Sequence, residues 1–293
     1  MTQLDRVVFC VATGKPKYGE MAMGLGRSLS LIGDFNPRAV VTDLKDFDWS
    51  RYFDFVFEPK AKRSALDKLL APDYLNAKSV YALDVDCLAF KRLDPVFDYC
   101  QGKTFAVQGG WQSEGKWHGA EVQDILSQRG WPHLPKFNGG ALYYEPSMEY
   151  ARLLTRMQEI ESEYGKSGFG DFRGNASEEV CVALAMMELG VGEVIPDDTN
   201  FMHTGAGIIG SLNMDVRSNT CQFISRKARV RYVEPLVFHA SEYSNFNIYW
   251  KQLRILKNLE AYEDRTRPGY RSRWFRLRRS LERRWLRLRG DIS

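Results

Sequence analysis

In the first third of the chain, short apolar runs alternate with helical patterns, and few architectures accommodate that order. Residues 7–12 read as a strand, residues 14–17 as a loop and residues 18–32 as a helix with small and apolar residues on one side. Residues 38–42 form a second expected strand that ends at Asp43, and residues 53–57 a third. Over residues 62–70, Ala65, Leu66, Leu69 and Leu70 follow the helical period. Residues 79–83 form a fourth strand, followed at once by Asp84-Val85-Asp86. Strand and helix alternating at this spacing predict an α/β chain built on a parallel sheet. Ligands of such sheets sit beyond the carboxyl ends of the strands. Thr13, Asp43 and the Asp84–Asp86 pair are therefore expected at one rim.

The second half is less regular. Strands are expected over residues 104–107 and 141–144, and a loop with Trp111, Trp117 and His118 over residues 109–119. Helices are expected over residues 148–164 and 177–189, the latter with Ser177 at its start as a cap. Residues 166–176 and 204–210 read as Gly-rich loops, and a last strand ends at His239. One body is expected over residues 1–264, with a separate tail over residues 265–293.

Charge separates these two parts. The chain carries 41 basic and 37 acidic residues, a net +4. Residues 265–293 hold 11 arginines against Glu282 and Asp291. The body is thus mildly acidic and has no charge-based reason to bind nucleic acid. In the tail, Trp274, Leu277, Leu281, Trp285 and Leu288 line one face of a helix, with arginines on the other sides. That pattern predicts a peripheral contact with an anionic membrane surface. A stripe docked on the body and an Arg-rich RNA-binding arm are the other readings of the same pattern. No apolar run is long enough to span a bilayer, and Met1 to Arg6 is too polar for a signal peptide. Five widely spaced cysteines without a CxxC pair fit a reducing compartment, so a cytoplasmic location is expected.

Four local patterns carry chemistry. Asp84 and Asp86 follow a buried strand, and an extended backbone points both carboxylates to one side. Two like charges so close call for a hard divalent ion, or else for separate solvation at a turn. His239 ends another apolar strand, and an imidazole added to two carboxylates suits Mn²⁺ better than Mg²⁺. Alone it also fits a rim histidine with one hydrogen bond. Asn138-Gly139-Gly140 combines an amide able to donate and accept with glycines that permit a close backbone approach. An ordinary Asn-Gly turn would look the same. Glu178-Glu179 open a helix, where acidic residues also favour the macrodipole.

Taken in order, these motifs resemble the retaining GT-A glycosyltransferases of the glycogenin and bacterial lipopolysaccharide galactosyltransferase type. The marker set runs from Arg27-Ser28-Leu29 and Arg63 through Tyr81-Ala82-Leu83-Asp84-Val85-Asp86 and Phe137-Asn138-Gly139-Gly140. It continues with Glu178-Glu179, Pro196-Asp197-Asp198-Thr199-Asn200-Phe201-Met202 and Phe238-His239. The resemblance implies a GT-A fold, with a mixed, mostly parallel central sheet flanked by helices and, here, a basic amphipathic C-terminal helix. It implies a hexosyltransferase that uses a nucleotide-sugar, a UDP-sugar with Mn²⁺ or Mg²⁺, and a glycan or lipid-linked acceptor. Asp84, Asp86 and His239 would be the metal ligands, and Arg63 would touch the donor. Asn138 and Glu178 would face the donor sugar, with Glu179 close to the reacting carbon. Relatives often hold Gln at the position of Glu179, where a carboxylate is the better nucleophile and can also bind an acceptor hydroxyl.

Two segments depart from the family pattern. Where relatives carry Asp, Asn and Tyr after the first strand, this chain has Ala12-Thr13-Gly14-Lys15-Pro16-Lys17-Tyr18, which leaves Thr13 and Tyr18 as the nucleotide contacts. Where relatives follow the histidine with Gly and Lys-Pro-Trp, this chain has Ala240, and its Trp250-Lys251 comes later, so Lys251 is the expected phosphate cation. Two rival functions share some of these features. A sugar-phosphate nucleotidyltransferase would use the same kind of core and aspartates, but it needs a Gly-rich loop with Arg after the first strand and has no use for His239. A non-catalytic membrane-surface adaptor would need only the tail.

Overall fold

The computed structural model describes residues 3–60, 64, 66–172, 174–226, 230–241 and 247–266. The chain opens with β1 (Leu4–Ala12), α1 (Pro16–Leu31), β2 (Arg38–Thr42) and β3 (Phe55–Phe57). Next come β4 (Ala77–Leu83), β5 (Cys87–Ala89), α2 (Asp94–Cys100) and β6 (Phe105–Gln112). A small hairpin, β7 (Lys116–Trp117) and β8 (Ala120–Glu121), leads into α3 (Val122–Arg129), β9 (Leu134–Tyr144) and α4 (Met148–Ser162). After α5 (Glu178–Leu189) follow β10 (Glu193–Pro196), β11 (Met202–Thr204), β12 (Ile208–Asp215) and β13 (Thr220–Ser225). β14 (Arg231–Val233), β15 (Val237–His239) and α6 (Asn247–Thr266) complete the described part.

Seven strands form the central sheet in the order β10-β6-β9-β4-β1-β2-β3. Only β9 opposes its neighbours, so the sheet is mixed and mostly parallel. Alternation along each strand feeds two cores. Val8, Cys10, Tyr81 and Leu83 pack on one face with α1, α2 and α6. Val7, Phe9, Val80 and Ala82 pack on the other with α3, α4 and α5. Both faces are covered, which is why these strands read as continuous apolar runs. Two smaller three-stranded sheets, β11-β15-β5 and β12-β13-β14, flank the central one. All five cysteines are buried and unpaired. No described helix is long and apolar enough to cross a membrane.

Several expected boundaries shift. Where a helix was expected over residues 62–70, the described part shows short 3-10 turns at Asp67–Leu69 and Ala71–Asp73. Residues 61–63 and 65 lie outside the described residues, Arg63 among them. The apolar period there marks Leu66 and Leu69 as core, not a regular helix. Asn138-Gly139-Gly140 does not open a strand but lies inside β9. The extension is permitted by a register irregularity against β6 between Val107 and Gly109, where a Cβ on Gly109 would come within 2.2 Å of the Lys136 carbonyl. Ser177 stands at the cap position of α5, yet its hydroxyl makes no capping bond. The Arg-rich helix expected beyond residue 266 lies outside the described residues. α6 is tied down by Glu260, which pairs with Arg27 and Arg51, each at 2.6 Å.

Candidate active site

Strand register brings distant residues to one point at the rim. β4 ends at Leu83, so the Asp84 backbone leaves the sheet there, still donating its N–H to the Gly140 carbonyl at 2.9 Å. β15 runs antiparallel to β5 with His239 opposite Cys87, and the Ala240 N–H donates to the Asp86 carbonyl at 3.0 Å. That pairing closes the gap between His239 and the acidic pair. His239 Nε2 lies 3.1 Å from Asp86 Oδ1 and 3.4 Å from Asp84 Oδ2. The ring packs closely against Gly140, where a Cβ would fall 2.2 Å from Nδ1. Gly140 is thus required for close approach, not for a turn.

The ligand atoms of Asp84, Asp86 and His239 all lie within 4.8 Å of one another. Two carboxylate oxygens and one imidazole nitrogen form a donor set suited to Mn²⁺ or Mg²⁺. The imidazole orientation also fits. Asn138 Oδ1 accepts the Gly140 N–H at 3.1 Å, which identifies it as the oxygen of the amide. The same atom lies 2.6 Å from His239 Nδ1, so Nδ1 carries a hydrogen and Nε2 is the nitrogen that faces the carboxylates, donating to Asp86 when protonated and able to offer its lone pair to a metal ion that displaces that proton. Burial disfavours charge on either partner, but the attraction between them outweighs it. Asp86 is held below the ordinary carboxylate range and His239 above the ordinary imidazole value.

A buried lysine absent from the sequence reading completes the cluster. Lys68 Nζ sits 2.5 Å from Asp84 Oδ1 and 3.1 Å from Glu178 Oε2, and donates to the Gly139 carbonyl. Burial opposes a charge on Lys68, yet Asp84 and Glu178 outweigh it and raise its pKa. Its only sequence signal is a lysine inside the apolar run that ends at Leu70, a position where cations are rarely buried without partners. Glu178 is the opposite case. Burial pushes its carboxyl up to about 8 against the pull of Lys68, and Asp84 and Glu179 add to the rise. Its Oε1 is buried with no hydrogen-bond partner among the described residues. A protonated carboxyl at neutral pH, or a ligand hydroxyl, accounts for such an orphan.

Glu179, the next residue of α5, also packs against Gly139 but takes different partners. Its Oε1 accepts the Gly139 N–H at 2.8 Å and the Asn138 amide at 3.5 Å. Asn138 therefore bridges His239 and Glu179 with its two amide atoms. Glu179 and Asn138 both border a cavity of about 440 Å³ that is also lined by Trp111, Trp117, Lys136 and His203. The size matches ordinary small-ligand pockets.

Of the remaining expected residues, Arg63 lies outside the described chain. Thr13 follows β1, whose end shares the rim with β4, and Asp43 holds that loop by accepting the Gly14 N–H at 2.7 Å. Tyr18 is half-buried in the first turn of α1, with Lys17 Nζ 5.1 Å from its ring centre. Lys251 is exposed on α6, and its charge acts on Asp215, whose carboxyl is held low first by Arg217 and to a lesser degree by Lys251.

The fold matches solved glycosyltransferases. The galactosyltransferase LgtC, in complex with donor and acceptor sugar analogues, aligns with a TM-score of 0.57 at 12% identity, over 86% of this chain and 95% of that one. A glutamine-to-glutamate active-site mutant of LgtC aligns at 0.53 and 14% identity over the same shares. Mouse xyloside xylosyltransferase 1 in its apo form aligns at 0.50 and 11% identity, over 83% of this chain and 99% of that one. No protein-family model and no curated protein matches the sequence. The chain has the GT-A glycosyltransferase fold, the class implied by its ordered motifs.

Proposed function

We propose that this chain is a metal-dependent glycosyltransferase that moves a hexose from a UDP-sugar to a glycan or lipid-linked acceptor, with retention of anomeric configuration. The observation that carries this reading is the convergence of Asp84, Asp86 and His239 beside a cavity bordered by Asn138 and Glu179. A divalent ion held by the triad would neutralise charge on the departing diphosphate. The protein's own groups do the rest. Asn138 keeps His239 in the ligating tautomer and Gly140 gives the ring its place. Lys68 supplies a fixed positive charge beside Asp84, in the donor-contact role expected for Arg63. Glu178, protonated at neutral pH, can donate to a sugar hydroxyl, whereas Glu179 faces the cavity where the reacting carbon and acceptor would meet. Thr13 and Tyr18 at the rim are assigned to the nucleotide.

The use made of His239 favours this reading over a sugar-phosphate nucleotidyltransferase, in which that histidine has no task. Residues 265–293 are assigned to an anionic membrane surface on the cytoplasmic side, where lipid-linked acceptors would be met. The decisive experiment is a donor screen with Mn²⁺, in which UDP- and GDP-sugars are tested for slow hydrolysis beside the Asp84→Ala/Asp86→Ala double variant. UDP release from one donor, lost without metal and in the variant, is the expected result. Absence of turnover and of metal-dependent nucleotide binding with every donor would move the function to the tail and leave an adaptor.

A further inference from the structure

His118 and Gly119, at φ +42° and +78°, form the two-residue loop between β7 and β8, and both take the left-handed conformation that such a tight hairpin requires. The surroundings here are specific. His118 sits at the tip of the β7–β8 hairpin, which is closed by a 2.8 Å bond from the Val122 N–H to the Gly115 carbonyl. Its own carbonyl accepts the Gly170 N–H at 2.7 Å, from the loop that precedes α5. A Cβ on Gly170 would stand 3.0 Å from that carbonyl, so a side chain there would crowd the junction. Phe172 meets the imidazole edge-on at 5.7 Å. Two loops thus clamp one ring.

The clamped ring is aimed at Glu179. His118 Nε2 lies 3.3 Å from Glu179 Oε2 and 3.2 Å from the Ser177 hydroxyl. Ser177 would be expected to spend its hydroxyl on capping α5, but it is turned to His118 instead. The His118 side chain is only 12% exposed and that of Glu179 only 22%. Glu179 is then held at both oxygens: Oε1 by the Gly139 N–H and the Asn138 amide, Oε2 by His118. A carboxylate held at a single oxygen could rotate; one held at both keeps one orientation toward the cavity.

We propose that His118 is a positioning residue for Glu179, held by the tight β7–β8 hairpin so that the carboxylate presents one fixed edge to the sugar acceptor and the reacting carbon. This rests on the assignment of Glu179 to the reaction under the proposed function. An Nε2–H shared between the carboxylate and Ser177 would orient the group without itself touching substrate. Misplacing a reacting group by about 1 Å is enough to slow a reaction by roughly a hundredfold.

The test uses the full chain with Mn²⁺ and the donor found active in the screen. His118→Phe is expected to lower kcat by roughly ten- to a hundredfold, with the donor KM and Mn²⁺-dependent UDP binding unchanged. His118→Gln, which places an N–H at similar reach, should restore kcat to within about threefold of the wild type. Because His118 would act through the carboxylate, His118→Phe/Glu179→Ala should be no slower than Glu179→Ala alone. Independently of turnover, the Nε2–H resonance of His118 should shift on Glu179→Gln and again on Ser177→Ala. An unmoved resonance would overturn the pairing itself. Additive losses, or equal losses in Phe and Gln with weakened UDP binding, would reduce His118 to a structural residue. Absence of turnover in the wild type with every donor would instead sink the glycosyltransferase reading, leaving the resonance shift to decide whether the clamp exists.

Discussion

Asn138 Oδ1 stands 2.6 Å from His239 Nδ1, and this contact sets which nitrogen of the imidazole faces the acidic pair. The same amide reaches Glu179 through its nitrogen. One side chain therefore couples the metal-ligating triad to the carboxylate at the cavity.

Removing that coupling has a measurable cost. Asn138→Ala leaves the ring free to turn and its Nδ1 without an acceptor. Titration calorimetry with Mn²⁺ in the presence of UDP should show metal affinity weaker by roughly ten- to a hundredfold. Unchanged affinity would mean that Gly140 packing alone orients the ring.

Gly140→Ala tests the packing directly. The added methyl would stand 2.2 Å from His239 Nδ1 and must expel the ring or bend β9. Urea unfolding should register a loss of about 1–3 kcal/mol. Gly110→Ala, also in β6–β9 territory but with nothing within 4 Å of a new Cβ, should change stability by less than about 0.5 kcal/mol.

Lys68→Met leaves Asp84 and Glu178 facing each other without their shared cation. Glu178 is neutral at neutral pH and the Asp84 side chain is 37% exposed, so the loss is that of charge-assisted hydrogen bonds from one buried cation, about 1–3 kcal/mol. Added Mn²⁺ should recover part of that loss, so the rise in Tm on metal addition should be larger in the variant than in the wild type. Equal rises in both would show that Lys68 and the ion do not share Asp84.

The Glu178 carboxyl makes stability depend on pH with a definite sign. Below about 4.5 it is protonated in the folded and unfolded chain alike. Between there and about 8 the unfolded chain has released its proton while the folded one keeps it, so stability falls as pH rises through this window. Metal-free unfolding followed from about pH 5 to about pH 8 should show that decline, and Glu178→Gln should flatten it. A slope unchanged by the substitution would assign the titration to another group.

Truncation after Thr266 separates body from tail. Binding to vesicles containing anionic lipid should be lost, while the melting temperature and metal-dependent UDP binding stay as in the full chain. Retained vesicle binding by the truncated body would remove the membrane assignment of residues 265–293.

The strands β1, β2 and β4 were legible in the sequence to within about three residues, and so was the placement of Asp84 and Asp86 just past β4. Local patterns suffice there, because a strand buried on both faces needs a continuous apolar run and an acidic pair ends it. The central strand β9 was only half legible: its Asn138-Gly139-Gly140 segment looks like a turn but is carried inside the strand, because β6 pairs with the residues on either side of it, Leu134 to Phe137 and Leu142 to Tyr144. The Gly-rich loop expected over residues 204–210 overlaps only the start of β12, and the rest of the β12-β13-β14 sheet carried no expected strand. Lys68 and His118 were hidden for a different reason. A lysine in an apolar run and a histidine beside glycines acquire meaning only from partners more than a dozen residues away in the chain.

By itself, then, the sequence determined the alternating strand and helix order, the acidic exit of β4 and the segregation of basic charge into residues 265–293. These are properties of neighbours along the chain, where periodicity and charge act over a few residues. Tertiary structure alone decided that β15 would pair antiparallel with β5 and set His239 beside Asp86, that Lys68 would be buried against Asp84, and that His118 would meet Glu179. Those outcomes depend on strand register and on which loops clamp together, and no local preference of the chain encodes either.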